Sequence, residues 1–513
     1  VSAISSAHPL DDGTVPLASQ PKRVGDAVQR WALQAPERAA VLDRSGQWTY
    51  GQLAAAVTQL SAMLAANGVS GGDRVMVVAE NCRAAVAVFF AAAAIDAWPV
   101  LIDARLASPE LVAIREDCLP RLVLVVGTSP AARLVAQRLG AAPIDVGGIE
   151  GVFCAAGDTQ AGAEPVSADS ADRVAAILYT SGSTGSPRGV MLSHRGILFV
   201  ATSGGQVRQV TPDDRFYAVM PVSHGVGLVP VLLCALLYGA SVYLVARFNP
   251  AEALRAFRQD GITILLGTPA LYSLVLEYAA SKKIHAIGSP TLRIVSASGA
   301  PLDMGLKLRA EALFGLSLHH GYGLTECSCT ISQVRPELPR NDLSVGPLLP
   351  GVEGRLVDAA DGIGELQVRG PNLMLGYYRN PEASRSCLSQ DGWFRTGDLA
   401  RFEGDHLFIV GRLKDMVIRN GFKIQPLEVE AVLNAHPDVV LSAVISRQEH
   451  GNETLVAFVQ TRPGAGVTVE ALLDHASRRL APYKQPQRIV VAETLPLLPS
   501  GKVNKVSLAS RHN

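Results

Sequence analysis

Residues 180–189 read TSGSTGSPRG, a run in which glycines alternate with hydroxyl side chains and one cation, Arg188, closes the segment. Glycines let successive backbone N–H groups converge on one point, and hydroxyls add further donors. Thr180, Ser181, Gly182, Ser183, Thr184, Gly185 and Arg188 could therefore wrap a phosphate. Neither G-x-x-x-x-G-K-[ST] nor G-x-G-x-x-G is present, so neither common nucleotide fingerprint applies. RVAAILYT before the loop and GVMLSH after it both read as extended, and only then does Ser193 cap a helix. The loop thus joins two strands without a helix dipole behind it. The same composition also describes a plain hairpin tip.

Three further stretches carry usable chemistry. In HHGYGLTECSC, 319–329, Tyr322 stands between glycines where its ring could stack on a base. Thr325 and Glu326 follow, a hydroxyl and a carboxylate that could hold a phosphate oxygen and its Mg²⁺. His319, His320, Cys327 and Cys329 match no common zinc spacing, and zinc is not expected. In WFRTGD, Asp398 has the pair of acceptors needed for a sugar diol, although an Asp in a glycine turn is ordinarily turn chemistry. In LPLLPSGKVNK, Lys502 occupies a Pro/Gly-framed turn, where a lone lysine is ordinarily a solvated charge.

The elements that position these residues alternate. Thr49 and Gln52 have capping-box spacing ahead of a helix that stops at Asn67-Gly68. DRVMVVAE, CRAAVAVFFAAAAI and PVLID then read strand, helix, strand, and the pattern returns from RFYAVMPVS through the helix 250–259 to ITILLGT. This is the wording of an α/β fold with largely parallel sheets covered by helices. From about 340 to 410, short strands between Gly, Pro and Asp predict an antiparallel or barrel-like unit. Beyond Gly411 a compact α+β unit follows.

Composition narrows the classes. Lys plus Arg equals Asp plus Glu at 46 each, so no net field favours nucleic acid or an anionic membrane. With 513 residues, 48% hydrophobic and 18% charged, the chain is globular and multidomain. Seven scattered cysteines and no signal-peptide pattern predict a reduced, cytoplasmic protein. Residues 226–246 are uncharged over a length that could span a bilayer, but Pro230, Gly239 and Ser241 divide them into helix, turn and strand, and no membrane span is expected. Nothing in the patterning distinguishes a monomer from a homodimer.

Taken together, 180–189, YGLTE, WFRTGD, GRLKDMVIRNG and PSGK stand in one order, and here the chain resembles the adenylate-forming superfamily of acyl- and aryl-CoA ligases, from about residue 25 to 507. The resemblance implies a large N-terminal domain, 1–411, with two layered α/β sheets and a barrel-like subdomain, a hinge at 412–415, and a small mobile α+β domain, 416–513. It implies ATP, Mg²⁺ and coenzyme A, and a reaction in which a carboxylic acid becomes an acyl-adenylate with release of pyrophosphate, then a thioester. The alternative within the resemblance loads the acid onto a carrier protein's pantetheine; a silent nucleotide-binding scaffold is disfavoured by Glu326, Asp398 and Lys502.

Residue by residue, the resemblance implies that Thr180 to Gly189 surround the β- and γ-phosphates. Ser298, Gly299, Ala300, Pro301 and Tyr322 frame the adenine, Thr325 touches the α-phosphate, Glu326 binds Mg²⁺, and Asp398 and Arg412 hold the ribose. Lys502 reaches the first-step site, Lys414 is the hinge, and Asn420, Gly421 and Phe422 line the thiol's tunnel. His224 gates the acid pocket, which Gly225, Gly227, Gly299, Gly321 and Gly323 are expected to leave roomy and apolar. Two positions depart from the pattern. Arg188 replaces the loop's usual lysine, and Ser223 replaces the aromatic residue usual before the gate. His224 in place of an aspartate argues against an amino acid substrate. Arg293 could meet the second charge of a dicarboxylate, but a structural role is expected of it.

Overall fold

The computed structural model describes residues 4–5, 21–158, 162–181, 187–419, 422–449, 452–462, 464–498 and 503–511. Two eight-stranded sheets carry the first part of the chain. In one, Arg74–Ala79, Trp98–Asp103, Leu122–Val126 and Val174–Ser181 run parallel, and Pro187–Ser193 folds back antiparallel beside the last. In the other, Arg215–Ala218, Ser241–Leu244, Ile264–Gly267, Ile294–Ala297 and Leu318–Tyr322 form the parallel centre. Arg74–Ala79 is buried along its whole length because helices cover both faces, which is why such strands read as unbroken apolar runs.

Local signals act as their chemistry requires. Thr49 Oγ1 accepts from Gln52 N at 3.2 Å while Thr49 N donates to Gln52 Oε1 at 2.9 Å, and the helix Tyr50–Ala66 closes at Asn67 with Gly68 at φ +75°. Ser193 Oγ accepts from Gly196 N at 3.0 Å and caps the helix His194–Val207. The apolar segment 226–246 folds as helix, turn and strand. Its helix runs through Pro230. Pro230 does not break it, because Gly227–Leu233 is a wide π-helical stretch in which Cys234 N donates five residues back to Val229 O. The wider turn accommodates a residue that lacks an N–H. Among the described residues, no helix is long and apolar enough to cross a membrane.

An antiparallel sheet of Glu353–Ala360, Ile363–Arg369, Phe394–Glu403 and His406–Arg412 follows, with Ile4–Ser5 added at its edge. Its first hairpin turns on Asp361 and Gly362, both at positive φ, as a tight two-residue turn demands. The last unit pairs Val439–Glu449 with Asn452–Thr461 antiparallel and Arg488–Ala492 parallel, under the helices Pro426–Asn434 and Val469–Ser477. Its core is built on Val417, Val429, Leu433, Leu455 and Leu472, and among the described residues draws on none before 417.

Three histidines are buried in the larger part. Burial holds His194, His319 and His320 down at about 4, from 6.5. The folded protein therefore leaves them neutral until the pH nears 4, whereas the unfolded chain protonates them near 6.5. Stability present above pH 6.5 is lost as the pH falls toward 4, at about 1.4 kcal/mol per pH unit per histidine. Urea unfolding at pH 7.5 and 5.0 should show this loss. His319→Leu, whose Nδ1 has no partner to forfeit, should reduce it by one proton; an unchanged pH dependence would contradict the assignment.

Candidate functional site

Asp398 sits in a strand whose turn at Gly397, φ +69°, aims its carboxylate inward, and it is 2% exposed. Thr396 fixes the turn, accepting from Asp398 N at 3.1 Å and donating to Leu366 O at 2.7 Å. Register places Arg412 opposite Asp398, and Arg412 Nε donates to Asp398 Oδ1 at 3.0 Å. From the end of the parallel strand Leu318–Tyr322, Tyr322 Oη donates to Asp398 Oδ2 at 2.5 Å. Burial, reinforced by the Asp398 charge, pushes the Tyr322 hydroxyl well above its ordinary value, so it remains a donor. Three residues expected around adenine and ribose are thus joined by direct hydrogen bonds.

A second constellation forms four residues further on. Thr325–Cys327 is a single 3₁₀ turn. Tyr377 Oη donates to Glu326 Oε1 at 2.9 Å, and burial followed by the Glu326 charge raises the Tyr377 hydroxyl. Tyr377 is in register with Val190 on the phosphate-loop hairpin, and the Arg188 guanidinium lies 5.5 Å from its ring centroid. The departure at Arg188 therefore has a structural partner, since a planar cation covers an aromatic face better than an ammonium does. Sequence reasoning missed Tyr377; its signal was GYY one residue before the helix-starting Asn380-Pro381.

The hairpin itself is as expected. Thr180 pairs with Arg188, and Ser181 with Pro187. Gly182, Ser183, Thr184 and Gly185 lie outside the described residues, as do Lys502, Asn420 and Gly421. Phe422 opens the short strand Phe422–Ile424. Lys414 is exposed in the turn after Arg412, where Leu413 N donates to Gly397 O at 2.9 Å. Ser298 N donates to Gly267 O at 3.0 Å, and Gly299, at φ +81°, turns the chain toward Ala300 and Pro301. His224 stands just before the helix that leads into the π-helical stretch: its N donates to Pro221 O at 2.9 Å, its Nδ1 accepts from Val226 N at 3.3 Å, and its carbonyl accepts from Leu228 N at 2.9 Å.

Profiles of known families match both parts of the chain: that of the AMP-binding enzyme over residues 28–378 and that of the AMP-binding enzyme C-terminal domain over 428–502. The chain belongs to the AMP-binding enzyme family. It is 30% identical to 4-coumarate–CoA ligase 5 of Oryza sativa subsp. japonica, over 93% of this chain and 92% of that one. It is 32% identical to feruloyl-CoA synthase of an Amycolatopsis species, over 94% and 97%. The crystal structure of ATP-bound MatB from Rhodopseudomonas palustris superposes with a TM-score of 0.82 at 28% identity, covering 96% of this chain and 99% of that one. The enzyme class is that of the AMP-forming acyl-CoA ligases, in which ATP activates a carboxylic acid as its adenylate before the acyl group passes to a thiol.

For this AMP-binding enzyme, one expectation about the acid side needs revision. Glycines 225, 227 and 323 do not leave room. A Cβ would lie 1.8 Å from Cys329 Sγ at Gly225, 2.0 Å from Pro221 O at Gly227, and 2.1 Å from Cys329 O at Gly323. These glycines let chain segments touch. Gly321 and Gly299 are the open ones, with nearest neighbours at 3.4 and 3.9 Å. The touching segment is itself bent, with Ser328 at φ 48° and Cys329 at φ 80°, and Asn372 braces it by accepting from Ser328 Oγ at 2.9 Å. Arg293 is committed to Asp214, its Nε and Nη2 donating at 2.8 and 2.7 Å, the structural role expected of it.

The packing reading makes a prediction. Gly225→Ala should destabilise the fold by about 1–3 kcal/mol through overpacking. Adding Cys329→Ala, which removes the sulfur it strikes, should restore most of that, while Gly321→Ala alone should unfold near the wild-type midpoint. Denaturant midpoints check this; additive losses in the double variant would contradict it.

Proposed function

We propose that this enzyme activates an acid with an apolar body, aryl or medium acyl, and transfers it to coenzyme A, with roles divided among the residues above. The observation that carries the reading is Asp398, buried and oriented by Tyr322 and Arg412, because a fixed carboxylate is the acceptor pair a ribose diol requires. The relatives' named acids, 4-coumarate and ferulate, favour the aryl case.

The first step brings two anions together, the acid's carboxylate and the α-phosphate of ATP. The nucleophile is already ionised at neutral pH, so no general base is needed. Lys502 bridges the acid oxygen and the α-phosphate, positioning attack and screening repulsion. Thr325 donates to the α-phosphate, and Thr180, Ser181, Gly182, Ser183, Thr184, Gly185 and Arg188 hold the departing pyrophosphate. Ser298, Gly299, Ala300 and Pro301 border the adenine. Glu326 would hold Mg²⁺, and a bound ion there supplies neutralisation of phosphate charge. Its carboxylate fits, since one oxygen is oriented by Tyr377 and a hard oxygen donor is what this ion takes beside substrate phosphates.

The acyl-adenylate is a mixed anhydride, so water must be kept out until the thiol arrives. The small domain, 416–513, turns about Lys414 in the 412–415 link, withdraws Lys502 and presents Asn420, Gly421 and Phe422 to the pantetheine arm, while His224 opens the acid pocket. Its use of ATP and coenzyme A supports a cytoplasmic location.

Two variants test the division of labour. Lys502→Ala should lower acid-dependent pyrophosphate release by about 10²–10³-fold and leave thioester formation from supplied acyl-adenylate within a few-fold. Lys414→Pro should do the reverse, sparing single-turnover pyrophosphate release while slowing steady-state thioester production. Equal loss of both steps in either variant would contradict the roles. Thioester on a carrier protein but not on coenzyme A would replace the acceptor.

A further inference from the structure

Arg208 follows the helix His194–Val207 and is 5% exposed, yet no carboxylate among the described residues meets it. Its Nη1 donates to Pro230 O at 3.3 Å and to Cys234 Sγ at 3.4 Å, and its Nη2 donates to Gln333 Oε1 at 3.1 Å. All three acceptors are neutral, because burial holds the Cys234 thiol above its ordinary value. A guanidinium keeps its proton inside a protein, so this is a buried cation without a counter-charge. Two other arginines show how the fold settles such a group elsewhere. Arg74, fully buried, donates to the backbone carbonyls of Gly72, Cys118, Leu119 and Gly162, and Arg293 holds Asp214.

Gln333 supplies the independent observation. It is 7% exposed, its Oε1 is committed to Arg208, and its Nε2 is buried with no partner. That commitment fixes the amide so that two N–H donors remain unmatched beside the guanidinium. Their place is informative. Pro230 and Cys234 belong to the helical segment that leaves His224, and Gln333 pairs across from Gly321, one of the two open glycines. Gln333 is also four residues beyond Cys329, which abuts Gly225 next to the gate. Pro230 lies six residues beyond His224 along that helical segment, and a rise of about 1.5 Å per residue puts the pair on the order of 10 Å from the gate. Gly204 clears the way, since a Cβ there would lie 3.2 Å from Arg208 Nη2.

We infer that Arg208 and Gln333 Nε2 form a donor pair that receives an accepting oxygen at the far end of the acid, a specificity element for the reaction above and resting on that reading of the acid pocket. The oxygen belongs to a second carboxylate or to a neutral carbonyl, and one experiment separates them. Acid-dependent pyrophosphate release is measured on the full chain with 3-phenylpropanoic acid carrying a 4-carboxy, 4-acetyl or 4-ethyl group. The wild type should favour the 4-carboxy or 4-acetyl acid over the 4-ethyl acid by at least ~10-fold in kcat/KM, mostly in KM. The better of the two names the oxygen. Arg208→Met should bring the oxygenated and ethyl acids within about threefold in kcat/KM. Gln333→Met, which leaves the guanidinium in place, should weaken the preference severalfold and decides the matter if Arg208→Met does not fold. Release from the ethyl acid equal to the others, or a preference intact in both variants, overturns the inference alone. No release with any acid overturns the pocket reading beneath it.

Discussion

A carboxylate that is 2% exposed has to be held, and the site is organised around holding one. Asp398 takes Tyr322 Oη on one oxygen and Arg412 Nε on the other. Tyr322 ends a strand of the parallel sheet, Asp398 lies in the antiparallel sheet, and Arg412 is the last residue before the link to the final unit. Removing one partner from a buried charge typically costs about 3–5 kcal/mol. The same bonds therefore fix how the two sheets meet and where a ribose diol would find its acceptors.

The segment from Tyr322 to Gln333 carries this order onward. Tyr322 serves Asp398, Glu326 is held by Tyr377, Cys329 fills the space that Gly225 leaves, and Gln333 takes Arg208. Read along the chain, these contacts run from Asp398 at one end to Arg208 at the other. Left-handed backbone at Ser328 and Cys329 bends the segment midway, and Asn372 holds the bend. The phosphate hairpin is drawn to the same place through Arg188 on Tyr377.

What could be read from the amino acids alone was whatever depended on neighbours in sequence. The Thr49–Gln52 box, the Ser193 cap and the strand–loop–strand around 180–189 follow from local hydrogen bonding and side-chain periodicity. The pairing of Asp398 with Arg412 depends on register across a hairpin, and that of Tyr322 with Asp398 on how two sheets pack. The resemblance supplied those residues, and local pattern did not. Glycines 225, 227 and 323 misled because a missing side chain signals space equally well for a ligand and for a packed sulfur or carbonyl. Arg208 drew no notice because its meaning lies in what surrounds it.

In the proposed reaction an acid oxygen attacks the α-phosphorus, and a thiol later attacks the acyl carbon. An acid labelled with ¹⁸O in both carboxylate oxygens tests it directly, with the products resolved by mass spectrometry after complete turnover with coenzyme A. The predicted result is one ¹⁸O in each AMP, one in the thioester and none in pyrophosphate. Unlabelled AMP, or ADP with labelled inorganic phosphate, would contradict it.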